Sequence, residues 1–498
     1  MLAREGKRIA ANVKWTLKDT GEALGVAAPA NAASLALTGF SIDSRTVRPG
    51  ELFIAIKGPN HDGHDYVPQA LAQGAAAAVV TLPRRRASPV DLQERLLAVE
   101  DTFAALQQLG LYARRRWGRP VLSVTGSTGK TTTKEMLAAL LSRRYRVLKS
   151  EGNLNNEFGV PLTLLRLEDS HELAVLEMAM AHKGELAKLC RVAEPNLGVV
   201  TNVAPVHLEF FRSLEEIAEA KRELIRGLVE PSVAVLNADD SRVSRFGVGL
   251  GRVIRFGMEK PAEVRGENLL DRGCLGCEFD LVAGGRRARV RLALPGRAHV
   301  ANALAAFAAA SVHGVEPAEA AEVLAAFEPA AMRGVVVEFA SGFTVVNDAY
   351  NSNPKALAAM AEALSRTPGA RRRLLVAGEM RELGSTSAEL HCRAGAAIAA
   401  LGNIDFLAGV TGDARHLVEG AQGAGLDPPR TAFFETREAA ADWLASVLRP
   451  GDWVLLKASR AVGLEALLEA LKAGFPVRPL PGEGEPVTSG AARAGKKE

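Results

Sequence analysis

Residues 121–133 read Val-Leu-Ser-Val-Thr-Gly-Ser-Thr-Gly-Lys-Thr-Thr-Thr, and this stretch constrains the fold more than any other. An apolar run fit for a buried strand ends in a short loop holding Gly126, Ser127, Thr128 and Gly129. Lys130, Thr131, Thr132 and Thr133 follow and lead into a helical run, residues 134–143. A strand that stops at glycine and restarts as a helix aims backbone N–H groups, and the positive end of the helix, at one place. That is a cradle for phosphate. Lys130 has the reach for terminal phosphates, and the Thr131 hydroxyl can ligate Mg²⁺. The spacing departs from the common pattern, in which the first glycine stands five residues before the second. Val124 occupies that position here, and Gly126 stands three before Gly129.

The rest of the chain must supply a sheet for that strand. At 498 residues it exceeds a single core, and its length predicts about three domains. Alanine is abundant and aromatics make up only 5%, which suits helices packed on sheets. The 61 Lys and Arg against 57 Asp and Glu leave a net charge of +4, which implies no nucleic-acid affinity. The arginine runs at 84–86, 114–116 and 371–373 read as solvated boundaries. Cys274 and Cys277 form a C-x-x-C with no second Cys or His pair at zinc spacing, so the cysteines read as structural. Residues 1–15 lack the apolar core of a secretory leader. Apolar runs break well before ~18 residues, so no membrane span is expected. The expected setting is the reduced cytoplasm, with the chain a monomer.

Residues 1–118 hold strand signals at 51–56 and 75–81 around a polar loop at 57–65. Residues 104–117 read as a helix. From residue 121, strands and helices alternate as in βαβ units. Residues 173–176, 197–201 and 233–236 read as buried parallel strands, and 264–294 as irregular or antiparallel strand. Residues 300–313 read as a helix closed by Gly314. A further unit opens near Met332 with a hairpin, 335–339 and 344–347. Asn353 and Pro354 then form an N-cap with proline at the first helical position. Residues 374–377, 405–410, 431–434 and 453–456 alternate with helices as a second doubly wound sheet. The expected fold is α/β in three domains. Residues 1–118 form a small α/β domain, 119–330 a mostly parallel sheet around the phosphate loop, and 331–475 a Rossmann-like sheet. Residues 476–498, rich in Pro, Gly, Ser and charge, read as disordered.

Glu177 follows a predicted strand directly, where ligands of open α/β sheets bind. A carboxylate there can hold Mg²⁺ against bound phosphates. His207 also lies just past a strand; alone it reads as structural, and its shared sheet edge with Lys130 and Glu177 argues for function. Ser213 to Glu216 form a capping box that opens a helix. Lys221 falls on the apolar stripe of that helix, with Ile217, Ala218, Leu224 and Ile225. A lysine there either snorkels to water or is functional, and the stripe alone favours snorkelling. The loop with Asn153, Asn155 and Asn156 either binds a polar ligand or makes Asx-turns. Two other nucleotide-binding classes fit less well. A GTPase would carry an Asn-Lys-x-Asp base-reading motif, which is absent, and an ordinary ATPase strand would end in Asp rather than Glu177.

Together these residues resemble the Mur ligase family of ATP-dependent amide-forming enzymes. The loop 125–132, the segment 152–161, Glu177 with Gly184 and Glu185, and His207 carry the resemblance in order. Residues 43–58 with 62–64, then 347–354, 379–384 and 456–460, extend it over roughly residues 40 to 470. They look most like the members that join D-alanyl-D-alanine to UDP-N-acetylmuramoyl-tripeptide. The members that add a diamino acid are the nearest alternative. Those usually carry an Asp-Asn-Pro-Arg-type motif, and none lies between Glu379 and Gly412. The resemblance implies ATP and Mg²⁺. Thr131 and Glu177 would hold one Mg²⁺, and His207 with a carbamylated Lys221 would hold or orient a second. Asn302 and Asp348 would contact adenosine, and Arg333 the phosphates. Ser44, Arg45 and His64 would bind the uridine substrate. Asn155, Asn156, Tyr350, Asn351, Asn353, Lys457, Ser459 and Arg460 would complete the substrate sites. The segments near residue 330 would act as a hinge. The chain departs from the pattern at Ala179, Val206, Ala298, His299, Glu379 and Ala458.

Overall fold

The computed structural model of the chain describes residues 15–29, 33–205, 210–249 and 251–478. They divide into two compact units. One comprises the chain to Asp271 together with Gly276–Glu328, the other Arg272–Leu275 and the chain from Pro329.

The first unit carries two main sheets. Strands Gly39–Ser41, Glu51–Ile54, Ala77–Thr81 and Leu96–Val99 lie side by side in that order, all parallel. Helix Thr102–Trp117 covers them through Leu106 and Leu109, and Leu165 joins the same core. The expected boundary at residue 118 thus falls inside one compact unit.

The second sheet has nine strands. Its order is Val147–Lys149, Leu173–Glu177, Val121–Thr125, Leu197–Val200, Val233–Asn237, Val253–Gly257, Val264–Asp271, Cys277–Ala283 and Arg286–Leu292. The first seven run parallel, and the last two close the edge antiparallel. The run 264–294 is therefore antiparallel strand, interrupted by a register shift between Glu267 and Leu270 and by a 3-10 turn at Gly273–Leu275. Alternation along the central strands sorts side chains to two cores. Leu122, Val124, Val175 and Val199 join helices Lys130–Leu141 and Arg297–Ser311 on one face. Ala174, Leu176, Val200 and Leu236 join helices Glu185–Ala193 and Leu214–Arg226 on the other. The phosphate-loop strand is flanked by the strand bearing Glu177 on one side and Leu197–Val200 on the other. The chain changes direction across the sheet there, which opens a crevice at the carboxyl ends.

The second unit is a six-stranded sheet, ordered Val335–Glu338, Thr344–Asn347, Asp452–Lys457, Arg372–Gly378, Phe406–Val410 and Thr431–Phe434. The first pair is antiparallel and the rest parallel. No helix among the described residues is long and apolar enough to cross a membrane.

Four local expectations need correction. Arg114 is buried, not solvated: its guanidinium donates to the carbonyls of Ala193 (2.8 Å) and Glu194 (3.1 Å) and to Asn196 Oδ1 (3.2 Å). Arg372 likewise pairs with the buried Asp452 carboxylate at 2.5 Å. The capping box forms only in half. Ser213 Oγ accepts from the Glu216 N–H, but the Glu216 carboxylate accepts from the Arg212 N–H instead of closing on Ser213. The chain also stays ordered past Phe475. Ala340 N–H donates to the Pro476 carbonyl, Val477 bridges Phe339, and Arg478 N–H donates to Glu338. Residues 479–498 of the expected tail lie outside the described residues.

Candidate functional site

The phosphate loop is stitched to the segment after strand Leu197–Val200. Ser127 N–H donates to the Asn202 carbonyl (3.0 Å), and Thr128 N–H to Asn202 Oδ1 (3.1 Å). Ser127 Oγ and Ala204 exchange two bonds, and Thr201 Oγ1 donates to the Thr128 carbonyl at 2.6 Å. Both glycines are obligatory. Gly126 has φ +149° and a β-carbon there would lie 1.8 Å from Thr201 Oγ1. Gly129 has φ +82°, and its β-carbon would lie 2.2 Å from Asn302 Oδ1. Loop and helix Arg297–Ser311 thus meet with no room for a side chain. Lys130 Nζ donates to the Gly126 carbonyl at 3.0 Å, curled over the loop that its ammonium would serve. Thr131 and Thr132 occupy the first helical turn.

Glu177 is the last residue of its strand and is buried. Asn155 Nδ2 donates to its Oε1 at 2.8 Å, and its Oε2 is buried without a hydrogen-bond partner among the described residues. A carboxylate oxygen shut away from water and left unpaired is unfavourable unless a ligand completes it. Among the described residues no group of three His, Cys, Asp or Glu gathers into a metal cage. That donor set fits Mg²⁺, which commonly takes one or two carboxylates and fills its shell with phosphates and water.

Lys221 lies inward on helix Leu214–Arg226 with 2% exposure, so it does not snorkel. Burial, and after it the neighbouring Lys130 charge, push its ammonium well below the usual lysine range. His207 lies outside the described residues, so its expected place beside Lys221 has no geometry here. In the Asn loop, Asn156 Oδ1 accepts from the N–H groups of Phe158 and Gly159, which is an Asx-turn.

In the sheet 39–99, Ser44 is buried and Arg45 is exposed, paired to Asp43 at 2.7 Å. His64 is spent internally. Its Nε2 accepts from the Thr81 N–H at 3.0 Å, so Nδ1 carries the proton and donates to Asp62 Oδ1 at 2.6 Å. Burial raises the Asp62 carboxyl, but the His64 backbone and ring and Arg84 outweigh it and hold it at about 2. His64 therefore anchors the 57–65 loop to the strand end at Thr81.

In the second unit, Lys457 Nζ pairs with Asp348 Oδ2 at 2.5 Å and donates to the Asn351 carbonyl at 3.1 Å. The Arg333 guanidinium stacks 4.1 Å over the Tyr350 ring. Ser459 Oγ accepts from the Arg381 N–H at 2.9 Å, and Arg460 pairs with Glu465 at 2.5 Å. Asn353 Oδ1 caps helix Pro354–Ser365 by accepting from the Ala356 N–H. Sequence reasoning missed Asn202, Lys134 and Ser150, whose partners are brought in from other strands.

Three family models match this chain in order: the Mur ligase family catalytic domain at residues 36–112, the Mur ligase middle domain at 124–310, and the Mur ligase glutamate ligase domain at 332–460. The UDP-N-acetylmuramoyl-tripeptide–D-alanyl-D-alanine ligase of Synechocystis sp. is 36% identical over 439 residues, spanning 87% of this chain and 92% of its own. The chain belongs to the Mur ligase family. The Bacillus subtilis ligase of the same name is 33% identical, across 92% of this chain and 98% of its own. Among Mur ligases of known structure, MurF from Acinetobacter baumannii superimposes with a TM-score of 0.82 at 29% identity, covering 93% of this chain and all 100% of that one. MurF ligase from Thermotoga maritima, solved in complex with ADP, gives 0.74 at 31% identity, with 87% and 97% covered. In this Mur ligase the His299 ring is engaged locally, with Nδ1 2.6 Å from the Pro295 carbonyl.

Proposed function

We propose that this chain uses ATP to join D-alanyl-D-alanine to UDP-N-acetylmuramoyl-tripeptide in the cytoplasm, releasing ADP and phosphate in peptidoglycan precursor synthesis. One observation carries the reading: the phosphate loop stands beside Glu177, whose Oε2 is buried and has no hydrogen-bond partner among the described residues. The named relatives and the ADP-bound neighbour support the same assignment.

A carboxylate is a poor electrophile. The tripeptide carboxylate attacks the γ-phosphorus of ATP, ADP leaves, and an acyl phosphate forms. The amine of D-alanyl-D-alanine then attacks the acyl carbon, and the tetrahedral adduct expels phosphate. Lys130 and the N–H groups of the first turn of helix Lys130–Leu141 stabilise charge on the transferring phosphoryl oxygens. Thr131 and Glu177 would hold Mg²⁺, which would supply charge neutralisation when bound. The inward Lys221, whose ammonium burial disfavours, would after losing a proton bond the carbon of CO₂ through its nitrogen and lose a second proton, leaving an anionic carbamate. That carbamate, with His207, would hold or orient a second Mg²⁺. Asn302 and Asp348 contact adenosine and Arg333 the phosphates. Ser44 and Arg45 take the uridine end of the substrate within residues 1–118. Tyr350, Asn351, Lys457, Ser459 and Arg460 face substrate from residues 331–475, and the segment near 330 is the hinge between that part and residues 119–330.

The test is acceptor choice. ATP, Mg²⁺ and UDP-N-acetylmuramoyl-tripeptide are supplied with D-alanyl-D-alanine, D-glutamate or meso-diaminopimelate, and phosphate release is measured. Release is expected only with D-alanyl-D-alanine. Preference for another acceptor overturns the assignment.

A further inference from the structure

Lys134 is fully buried, yet it sits on the helix that opens with the phosphate loop, three residues after Thr131. Its ammonium donates to the Ser150 carbonyl at 2.7 Å and pairs with Glu135 Oε1 at 2.7 Å. Ser150 is itself buried, and its Oγ accepts the backbone N–H of Glu177 at 3.1 Å. Five residues on, Asn155 grips the same strand end twice. Its side-chain amide donates to Glu177 Oε1, and its carbonyl accepts from the Ala179 N–H at 2.8 Å. The helix bearing Thr131 is thereby tied through Ser150 to the backbone of Glu177, and Asn155, from the same segment, separately holds its carboxylate.

A buried lysine is unfavourable unless its charge is met, and a packing role would be filled better by leucine or methionine. The ammonium instead takes a carbonyl that leads directly to Glu177. The amide of Asn155 occupies one carboxylate oxygen and thereby fixes the plane of the group, leaving the other for a cation.

We propose that Lys134, Ser150 and Asn155 are positioning residues for Glu177. Lys134 and Ser150 set the strand end relative to the helix of Thr131, and Asn155 selects Oε2 as the metal-facing oxygen. Asn155 then acts through Glu177 and not on the peptide substrate. The proposal rests on the reading that Glu177 holds Mg²⁺.

The test uses the full chain with ADP, and Mn²⁺ as the probe, followed by electron paramagnetic resonance. ADP affinity in EDTA and the unfolding temperature are measured alongside. Asn155→Ala should weaken Mn²⁺ binding in the ADP complex about 10- to 100-fold. Lys134→Met and Ser150→Ala should weaken it in the same direction, while metal-free ADP affinity stays within about twofold. Mn²⁺ affinities equal to wild type in Asn155→Ala and Ser150→Ala, with Mn²⁺ lost in Glu177→Gln, overturn the positioning role and leave the metal reading intact. Retention of Mn²⁺ by Glu177→Gln overturns the metal reading itself. A parallel fall in ADP affinity and unfolding temperature, with no added loss of Mn²⁺, marks ordinary structural damage and also overturns the proposal. Should Lys134→Met fail to fold, Lys134→Arg keeps charge and donors and should bind Mn²⁺ more weakly than wild type because the longer fork displaces Ser150.

Discussion

Asn302 Oδ1 stands 2.2 Å from where a β-carbon on Gly129 would go, so the phosphate loop and helix Arg297–Ser311 close on each other with no space to spare. Gly129 also holds φ +82°. Gly129→Ala should therefore both strain the backbone, by on the order of 1–3 kcal/mol, and push Asn302 aside. We expect ATP affinity to fall at least about tenfold, since 1.4 kcal/mol is worth that factor. Adding Asn302→Ala should return only the share due to the clash. Calorimetric titration with nucleotide checks both variants.

The Lys457–Asp348 pair is nearly closed to water, with side-chain exposures of 3% and 14%. Loss of one partner strands the other. Lys457→Met or Asp348→Leu alone should destabilise by roughly 3–5 kcal/mol, and the double variant by much less than the sum. Urea unfolding of the four proteins measures the coupling.

Arg114 gives a stability prediction without a kinetic one. Arg114→Met leaves the Ala193 and Glu194 carbonyls without their guanidinium donor. At ~1–3 kcal/mol per stranded buried acceptor, a loss of about 2–4 kcal/mol is expected in thermal unfolding. The KM for ATP should not change.

Lys221 sets a pH dependence whose sign is definite. Burial and the Lys130 charge depress its folded value, whereas the unfolded chain takes up a proton below the ordinary 10.5. The unfolded state therefore binds more protons through the window from the depressed folded value up to 10.5, and stability rises with pH across it. In bicarbonate-free buffer, Lys221→Met should be more stable than wild type at pH 7, with the gap closing as pH approaches 10.5. Thermal unfolding as a function of pH reads this directly. The same variant should lose turnover, and Lys221→Ala should regain part of it with added short carboxylates.

Much of the fold was legible in short-range pattern. The strand–loop–helix at residue 121, the hairpin at 335–347 and the Asn353–Pro354 helix start all formed where periodicity and turn chemistry put them. Arg114 was misread because a run of three arginines at a helix end resembles a solvated cap. Its partners lie 79 to 82 residues away, beyond any local signal. The anchoring of the His64 ring was hidden for the same reason: it is held by Thr81, 17 residues on.

Local order was enough to establish the phosphate cradle, because glycine conformation, helix start and the Lys-Thr pair act within a few residues of each other. It was also enough to put Lys221 on an apolar stripe. Whether its ammonium reached water depended on what the sheet packed against that stripe, and the fold closed it in at 2% exposure. The state of Glu177 was likewise a tertiary matter. One oxygen is taken by Asn155, 22 residues earlier, and the other is buried with no partner among the described residues, on strands that meet only in the folded sheet. Sequence orders residues along one dimension, whereas desolvation and pairing depend on neighbours in three.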